Sequence, residues 1–473
     1  MTKCSKFIVL MLATAVPYSS VIYAQNREFS LDDCISIALS ENPTVRIADM
    51  EICKADYSLK ETIGALLPSI SFDGMYTRTL KKQVAYMNMD AFSGMGGESG
   101  DVGDDVSSEQ SPSSGGDMGI EMGLDNSYSL GFSASMPLIA PQIWASMKLS
   151  NTQIERSVEQ ARASRVDLVN QVKNAYYALL LAYDSRKVVQ ESYDMASLTH
   201  ETYVKRHELG DASEYEVLRT SVAMKNVEPE IIQCDIAIQR AKMQLAILMG
   251  IEVDEPFTVK GSLSDYEQTM YEDVLNLSGD LTNNSSLIMN EIDTKSLKQT
   301  LSVQRASLYP TLALTGNYNW TSSNNGSPLK NFRWTPYSVV GVSLSFPLFQ
   351  GGQRYNKIRQ AEIQLDEMEY NRANLMRTLN SQVTLAMDNI KLNVRQIASS
   401  SESVNQATRA HDIQEKSFAI GASSYLDLRD SELSLTRAKL AYYQSVYNYL
   451  VANSDLELLL GNAPIEQYTQ IEK

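Results

Sequence analysis

Cysteine, histidine and basic charge are all scarce in this chain of 473 residues. Cysteine occurs four times, as Cys4, Cys34, Cys53 and Cys234, and histidine three times. That is too few for a disulfide scaffold, and the spacing fits no zinc site. Lys and Arg number 41 against 57 Asp and Glu, a net charge of −16. A nucleic-acid surface needs clustered Lys and Arg, so no nucleic-acid partner is expected. Beyond the N-terminus no apolar run reaches the roughly 18 residues of a membrane helix. A bundle of spanning helices is thereby excluded, whereas a β-barrel, with its weaker hydropathy signal, is not. Walker, nucleophile-elbow and His-Glu-x-x-His motifs are all missing, so neither an enzyme nor a cofactor is expected. An apolar fraction of 43% is nevertheless too high for a disordered chain.

Residues 1–24 read as an export signal. Lys3 and Lys6 precede the apolar stretch Phe7 to Val16, and Ala24 is the small residue before Gln25. Cys4 precedes the apolar stretch, so it is not the acylated first residue of a lipoprotein. Removing two lysines and no acid changes the charge from −16 to −18. Cys34 and Cys53 flank Asn42-Pro43, a turn between two helices, nearly symmetrically. The placement allows a disulfide between them; the alternative is two small buried apolar side chains.

The remainder is one unit written twice. Gly210, Tyr215, Arg219 and Leu248 match Gly421, Tyr425, Arg429 and Leu459, and Pro137-Leu138 matches Pro347-Leu348, at offsets of 210 or 211. Pro68, Gly74 and Tyr76 match Pro310, Gly316 and Tyr318 at an offset of 242, so the first copy carries about 32 extra residues. The first repeat spans 25–250, a linker and mid-length region 251–284, the second repeat 285–461 and a tail 462–473. Strands are expected over 69–79, 127–136, 311–321 and 337–346, because apolar residues alternate there with a period of two. One face carries Ile70, Phe72, Leu130, Phe132, Leu314, Tyr318, Val342 and Leu344; the other carries Ser71, Asp73, Ser133, Thr315, Asn317 and Ser343. A soluble sandwich gives the same alternation. The export signal and the aromatic strand ends favour a lipid-facing band.

Helices are expected over 44–65, 141–205, 214–249, 285–307, 352–417 and 425–460, from apolar spacings of three, four and seven. The longest, at 1.5 Å per residue, make rods of roughly 100 Å, ended by Gly210 and Gly421. Four strands cannot close, and an open edge in hydrocarbon leaves backbone groups unpaired. Several copies are therefore needed, and three would supply twelve strands.

This duplicated pattern resembles the TolC-like outer membrane efflux protein family over nearly the whole mature chain. The fold class it implies is mainly α with a membrane β-barrel: a homotrimer with a 12-stranded barrel and an α-helical periplasmic tunnel. It further implies the outer membrane of a Gram-negative cell, in contact with its lipid, where the position of Cys4 leads to an unlipidated protein. It would dock a periplasmic adaptor and an inner-membrane transporter of the RND or ABC type, carrying small molecules or polypeptides outward. The resemblance places Glu216, Asp427 and Asp430 at the periplasmic gate; a plain reading makes them acids at a helix start. It makes Leu209, Gly210, Ile420 and Gly421 adaptor-contacting tips, although such glycines also serve as helix caps. Phe418 and Ser423 depart from the family's Tyr and Arg, which link neighbouring helices. The repeat-equivalent His200 and His411 are expected to be solvated and to form no metal site.

Residues 83–126 hold nine acids, nine glycines and five methionines without any Lys, Arg or His. They read as a mobile external loop lacking a core and lacking EF-hand spacing. The competing function is an exported structural or adhesive coiled-coil protein without a pore, which membrane fractionation and bilayer conductance would distinguish.

Overall fold

The computed structural model describes residues 27–87, 118–253, 256–267, 279–328, 330 and 332–462. The export signal, most of the acidic insertion, part of the linker and residues 463–473 lie outside them. The chain divides into two compact units, residues 1–59, 148–301 and 357–473, and residues 60–147 and 302–356.

The first unit is mostly helical. Helix α1 (Leu31–Glu41) opens with a capping box in which Ser30 and Asp33 satisfy each other's backbone N–H. Helix α2 (Pro43–Gly64) starts on a proline, which tolerates a helix's first position. The long helix α3 (Pro141–Glu208), of 68 residues, is followed by α4 (Glu214–Lys225) and α5 (Glu228–Met249). The second repeat supplies α6 (Ser285–Ala306), α7 (Gln353–Ala419) and α8 (Tyr425–Leu460). The long return helix expected over 214–249 is thus two helices. Pro229, without an N–H and with a ring that blocks the preceding turn, sits in the first turn of α5 rather than inside a helix.

Two clasps repeat the duplication in three dimensions. Asn42 donates from Nδ2 to the Leu248 carbonyl at 2.8 Å and accepts from the Thr44 N–H at 2.7 Å. Asn284 donates to the Leu459 carbonyl at 2.6 Å and accepts from the Leu287 N–H at 3.0 Å. Each clasp lies two residues before a capping glycine, Gly250 or Gly461, both with φ of 72°. Here glycine is required twice over, because a Cβ at Gly461 would lie 2.1 Å from the Asn283 carbonyl oxygen.

Strands β1 (Arg27–Phe29) and β6 (Phe257–Val259) pair in parallel. A 3-10 turn over Leu263–Tyr266 is pinned to α3, whose Asp184 accepts from the Leu263 N–H at 2.9 Å and the Ser262 hydroxyl at 3.0 Å. No disulfide joins Cys34 and Cys53. Cys34 instead faces the helical core beside Ile35 and Ala38, where burial pushes its thiol up to about 12.

The second unit holds a four-stranded antiparallel sheet: β2 (Ser69–Arg78), β5 (Asn126–Ile139), β7 (Thr311–Asn324) and β8 (Thr335–Ser345), in the order β2-β5-β7-β8. The registers Phe72↔Phe132, Phe132↔Tyr318 and Leu314↔Val342 gather the apolar residues of all four strands on one face. Phe72 and Phe132 rings lie 4.9 Å apart there, and Phe132 meets Trp320 edge-on at 6.2 Å. These side chains remain exposed, Ile70 at 73% and Val340 at 79%, so no described residue of this unit covers the apolar face. Within the acidic insertion, β3 (Gln83–Met87) and β4 (Met118–Met122) form an antiparallel ribbon. That part is therefore paired strand rather than the loop expected, since main-chain pairing can form without a core.

Candidate functional site at the hairpin turns

The turns of the two helical hairpins are built alike. Helix α3 ends with the Gly210 N–H donating to the His207 carbonyl at 2.9 Å and the Asp211 N–H to the Arg206 carbonyl at 2.8 Å. At α7 the Gly421 N–H donates to Phe418 at 3.0 Å and the Ala422 N–H to Ser417 at 2.8 Å. Both glycines have positive φ, 79° and 76°, the left-handed cap that other residues adopt at a cost. Leu209 and Ile420 project beside them, 84% and 82% exposed. The first turn is flanked by Lys205, Arg206, His207, Glu208 and Asp211, the second by Ser417, Phe418 and Ala422 with Lys416 as its near cation.

Each return helix then starts with a capping box. Ser213 accepts from the Glu216 N–H at 3.3 Å, while Glu216 Oε2 accepts from the Ser213 N–H at 2.8 Å and its hydroxyl at 3.0 Å. Ser424 and Asp427 repeat this at 3.3, 3.2 and 2.7 Å. Hydrogen bonds from the serines hold both carboxyls below the ordinary carboxylate range, so both are ionised at neutral pH. Asp430 lies one turn further on and is exposed.

The caps also fix the repeat equivalence. Ser213 and Ser424 are 211 apart, as are Glu216 and Asp427. The sequence match of Tyr215 with Tyr425 and Arg219 with Arg429 is therefore off by one. Tyr425 stands where the first repeat has Glu214, and Asp430 where it has Arg219. Tyr215 accordingly points outward at 71% exposure, whereas Tyr425 packs against Tyr203 at 5.6 Å.

That packing belongs to an aromatic and cationic cluster that sequence reasoning missed. Tyr203 of α3, 5% exposed, touches Phe418 of α7 at 6.2 Å and Tyr425 of α8. The Arg206 guanidinium lies 5.5 Å from the Phe418 ring and 5.7 Å from Tyr203, and Arg219 lies 5.0 Å from Tyr425. Phe418 thus joins the two hairpins through an aromatic contact. Ser423 Oγ, by contrast, is buried without a hydrogen-bond partner.

The histidines differ from the solvated pair expected. His200 Nδ1 lies 3.0 Å from Thr220 Oγ1, and His411 Nδ1 lies 3.3 Å from Ser431 Oγ. Thr220 and Ser431 spend their own protons on carbonyls one turn back, Val217 and Leu428. Each histidine thus shares a hydrogen bond with a hydroxyl across its hairpin. Beside His411 the buried Glu432 pairs with Arg429 at 3.2 Å, and burial pushes its carboxyl up. Among the described residues no His, Cys, Asp and Glu group is placed to hold a metal ion. No helix among them is long and apolar enough to cross a membrane.

A four-stranded sheet with one mainly apolar, exposed face, joined twice to long capped helical hairpins, fits a membrane-channel class of protein. The family model for outer membrane efflux proteins matches residues 34–251 and 277–462, and the chain belongs to that family. It is 24% identical over 317 residues to the cobalt-zinc-cadmium resistance protein CzcC of Cupriavidus metallidurans, covering 65% of this chain and 72% of that one. It is 21% identical over 335 residues to the outer membrane protein TolC of Vibrio cholerae, covering 70% and 76%. Among solved structures, CusC superposes with a TM-score of 0.69 at 17% identity, covering 96% of this chain and 98% of that one. The Campylobacter jejuni CmeC outer membrane channel gives 0.66 at 17% identity, covering 93% and 89%.

Proposed function

We propose that three copies of this chain close into a 12-stranded outer-membrane barrel with an α-helical periplasmic tunnel, the exit duct for a periplasmic adaptor and an inner-membrane pump. The observation that carries this reading is the sheet: four strands, one face mainly apolar and exposed, and outer edges at β2 and β8 without a partner strand among the described residues. In hydrocarbon those edges must pair, and copies of the same sheet are the available partners. In this reading the duct moves cargo without transforming it. Relatives named for cobalt-zinc-cadmium resistance, alkaline protease secretion and pyoverdine export support one duct serving pumps with different cargo.

Glu216, Asp427 and Asp430 form the periplasmic gate in this reading. Glu216 and Asp427, held ionised by their caps, give six carboxylates at one level of a trimer; at the next level Asp430 alternates with Arg219. Such a ring favours cations at the entrance. The tips Leu209-Gly210 and Ile420-Gly421 are the surfaces offered to the adaptor. The test is planar-bilayer recording of the purified protein under a salt gradient. Glu216→Gln with Asp427→Asn is expected to lower the cation preference. Unchanged selectivity removes these residues from the gate, and a soluble monomer without conductance overturns the duct.

A further inference from the structure

The polar face of the sheet is almost free of charge. Its residues, in alternate positions of the four strands, are Ser71, Asp73, Met75 and Thr77, then Ser127, Ser129, Gly131, Ser133 and Ser135, then Thr315, Asn317, Asn319 and Thr321, then Thr335, Tyr337, Val339, Gly341 and Ser343. Asp73 is the one Asp, Glu, Lys or Arg among them. The other basic or acidic residue of these strands, Arg78, lies at the end of β2 and shares the parity of the apolar face.

Asp73 sits at mid-strand and is held there. Ser71 Oγ and Ser133 Oγ lie 3.1 and 3.3 Å from Asp73 Oδ2, and 2.6 Å from each other. Across the strands the register runs Asp73, Gly131, Asn319, Tyr337. Gly131 leaves the space beside Asp73 to the Asn319 amide, whose Oδ1 lies 1.7 Å from where a Cβ at Gly131 would stand. Asn319 donates in turn to Tyr337 Oη at 3.1 Å. The row is thus a belt of neutral amide and phenol groups with one fixed carboxylate per chain.

We propose that Asp73 determines the charge preference of the barrel itself, as a ring of carboxylates separate from the hairpin gate. The proposal rests on the trimeric duct reading, which turns the polar face inward and repeats Asp73 three times around one lumen. Twelve strands about 4.8 Å apart, tilted by about 40°, place the backbone roughly 12 Å from the axis. Screening then decides the size of the effect. At 0.15 M salt the Debye length is about 8 Å, too short to command the whole lumen, and at 0.01 M it is about 30 Å, long enough to do so. Small and medium anions are therefore disfavoured in the barrel at low salt, and neutral cargo is unaffected.

The experiment is a reversal-potential measurement on single channels at low and physiological salt, in a chain carrying Glu216→Gln, Asp427→Asn and Asp430→Asn so that the entrance no longer selects. A cation preference that persists at low salt and fades at 0.15 M is expected. Asp73→Asn should bring the cation-to-anion ratio to about one, Asp73→Lys should invert it, and Asp73→Glu should retain it as the check on folding. If Asp73→Asn and Asp73→Lys conduct with the ratio of their parent, the proposal is overturned while the duct stands. If no variant and no wild-type protein conducts, the duct reading falls and this inference falls with it.

Discussion

Ser213 and Ser424 each tie down the first turn of a return helix with one hydroxyl, and the acid three residues on returns the bond. Replacing either serine by alanine should cost about 1 kcal/mol, read as a lower midpoint in thermal unfolding of the purified protein. The pH dependence has a definite sign. Glu216 and Asp427 have folded-state pKa values below the ordinary range, so their contribution is present above the unfolded-state value and is lost as pH falls through the folded one. Protection of the turn amides, measured as exchange relative to the intrinsic rate at each pH, should accordingly fall only in strongly acidic buffer. Glycine substitutions offer a graded comparison. Gly210→Ala meets open space and only the left-handed backbone penalty, about 1–2 kcal/mol. Gly461→Ala meets the Asn283 carbonyl as well and should destabilise by clearly more in the same assay.

Between elements, Tyr203 is the hinge point of the two hairpins, since one ring of α3 touches both α7 and α8. Tyr203→Ala should remove about 3 kcal/mol of buried aromatic packing and raise the resting conductance of the channel, whereas Tyr203→Phe should leave it near the wild-type level. This contact was not legible in the sequence, because the partners lie in different repeats and neither spacing nor period links Tyr203 to Phe418. The broad architecture was legible for the opposite reason. A period of two over Ile70, Phe72 and Tyr76, or a spacing of three and four along α7, is written locally and survives in any context. The duplication doubled that signal. What failed were features decided by single residues: Pro229 dividing the return helix, the three-residue strands β1 and β6, and the one-residue shift of the second cap. Cys34 and Cys53 show the same limit. Their symmetry about Asn42-Pro43 suggested a bridge, yet α1 turns Cys34 into the helical core instead. At the site, the acids were legible as helix-start residues, and the Arg219 facing Tyr425 was not.

At the scale of the assembled molecule, the open strand edges at β2 and β8 call for further copies of the sheet, and the exposed apolar face for lipid around them. Native mass spectrometry from detergent should return a species of three chains, and a charged substitution at Val340 or Val342 on that face should reduce membrane insertion without unfolding the helices, as followed by far-ultraviolet circular dichroism. The helical hairpins carry a different consequence. Two hairpins per chain and three chains give six turns that share one backbone geometry, since both use the same carbonyl bonds and the same positive-φ glycine. Apart from the matched Lys205 and Lys416, their side chains differ: one turn is ringed by Arg206, His207, Glu208 and Asp211, the other by Ser417, Phe418, Ala419 and Ala422. A partner that grips only the shared backbone shape and the exposed Leu209 or Ile420 would count six identical berths. A partner that reads charge would count three, alternating with three that it passes over. If the turns are the docking surface proposed above, the stoichiometry of the complete machine follows from side chains within four residues of each glycine, and exchanging them between the two turns should change how many partners bind without changing the duct.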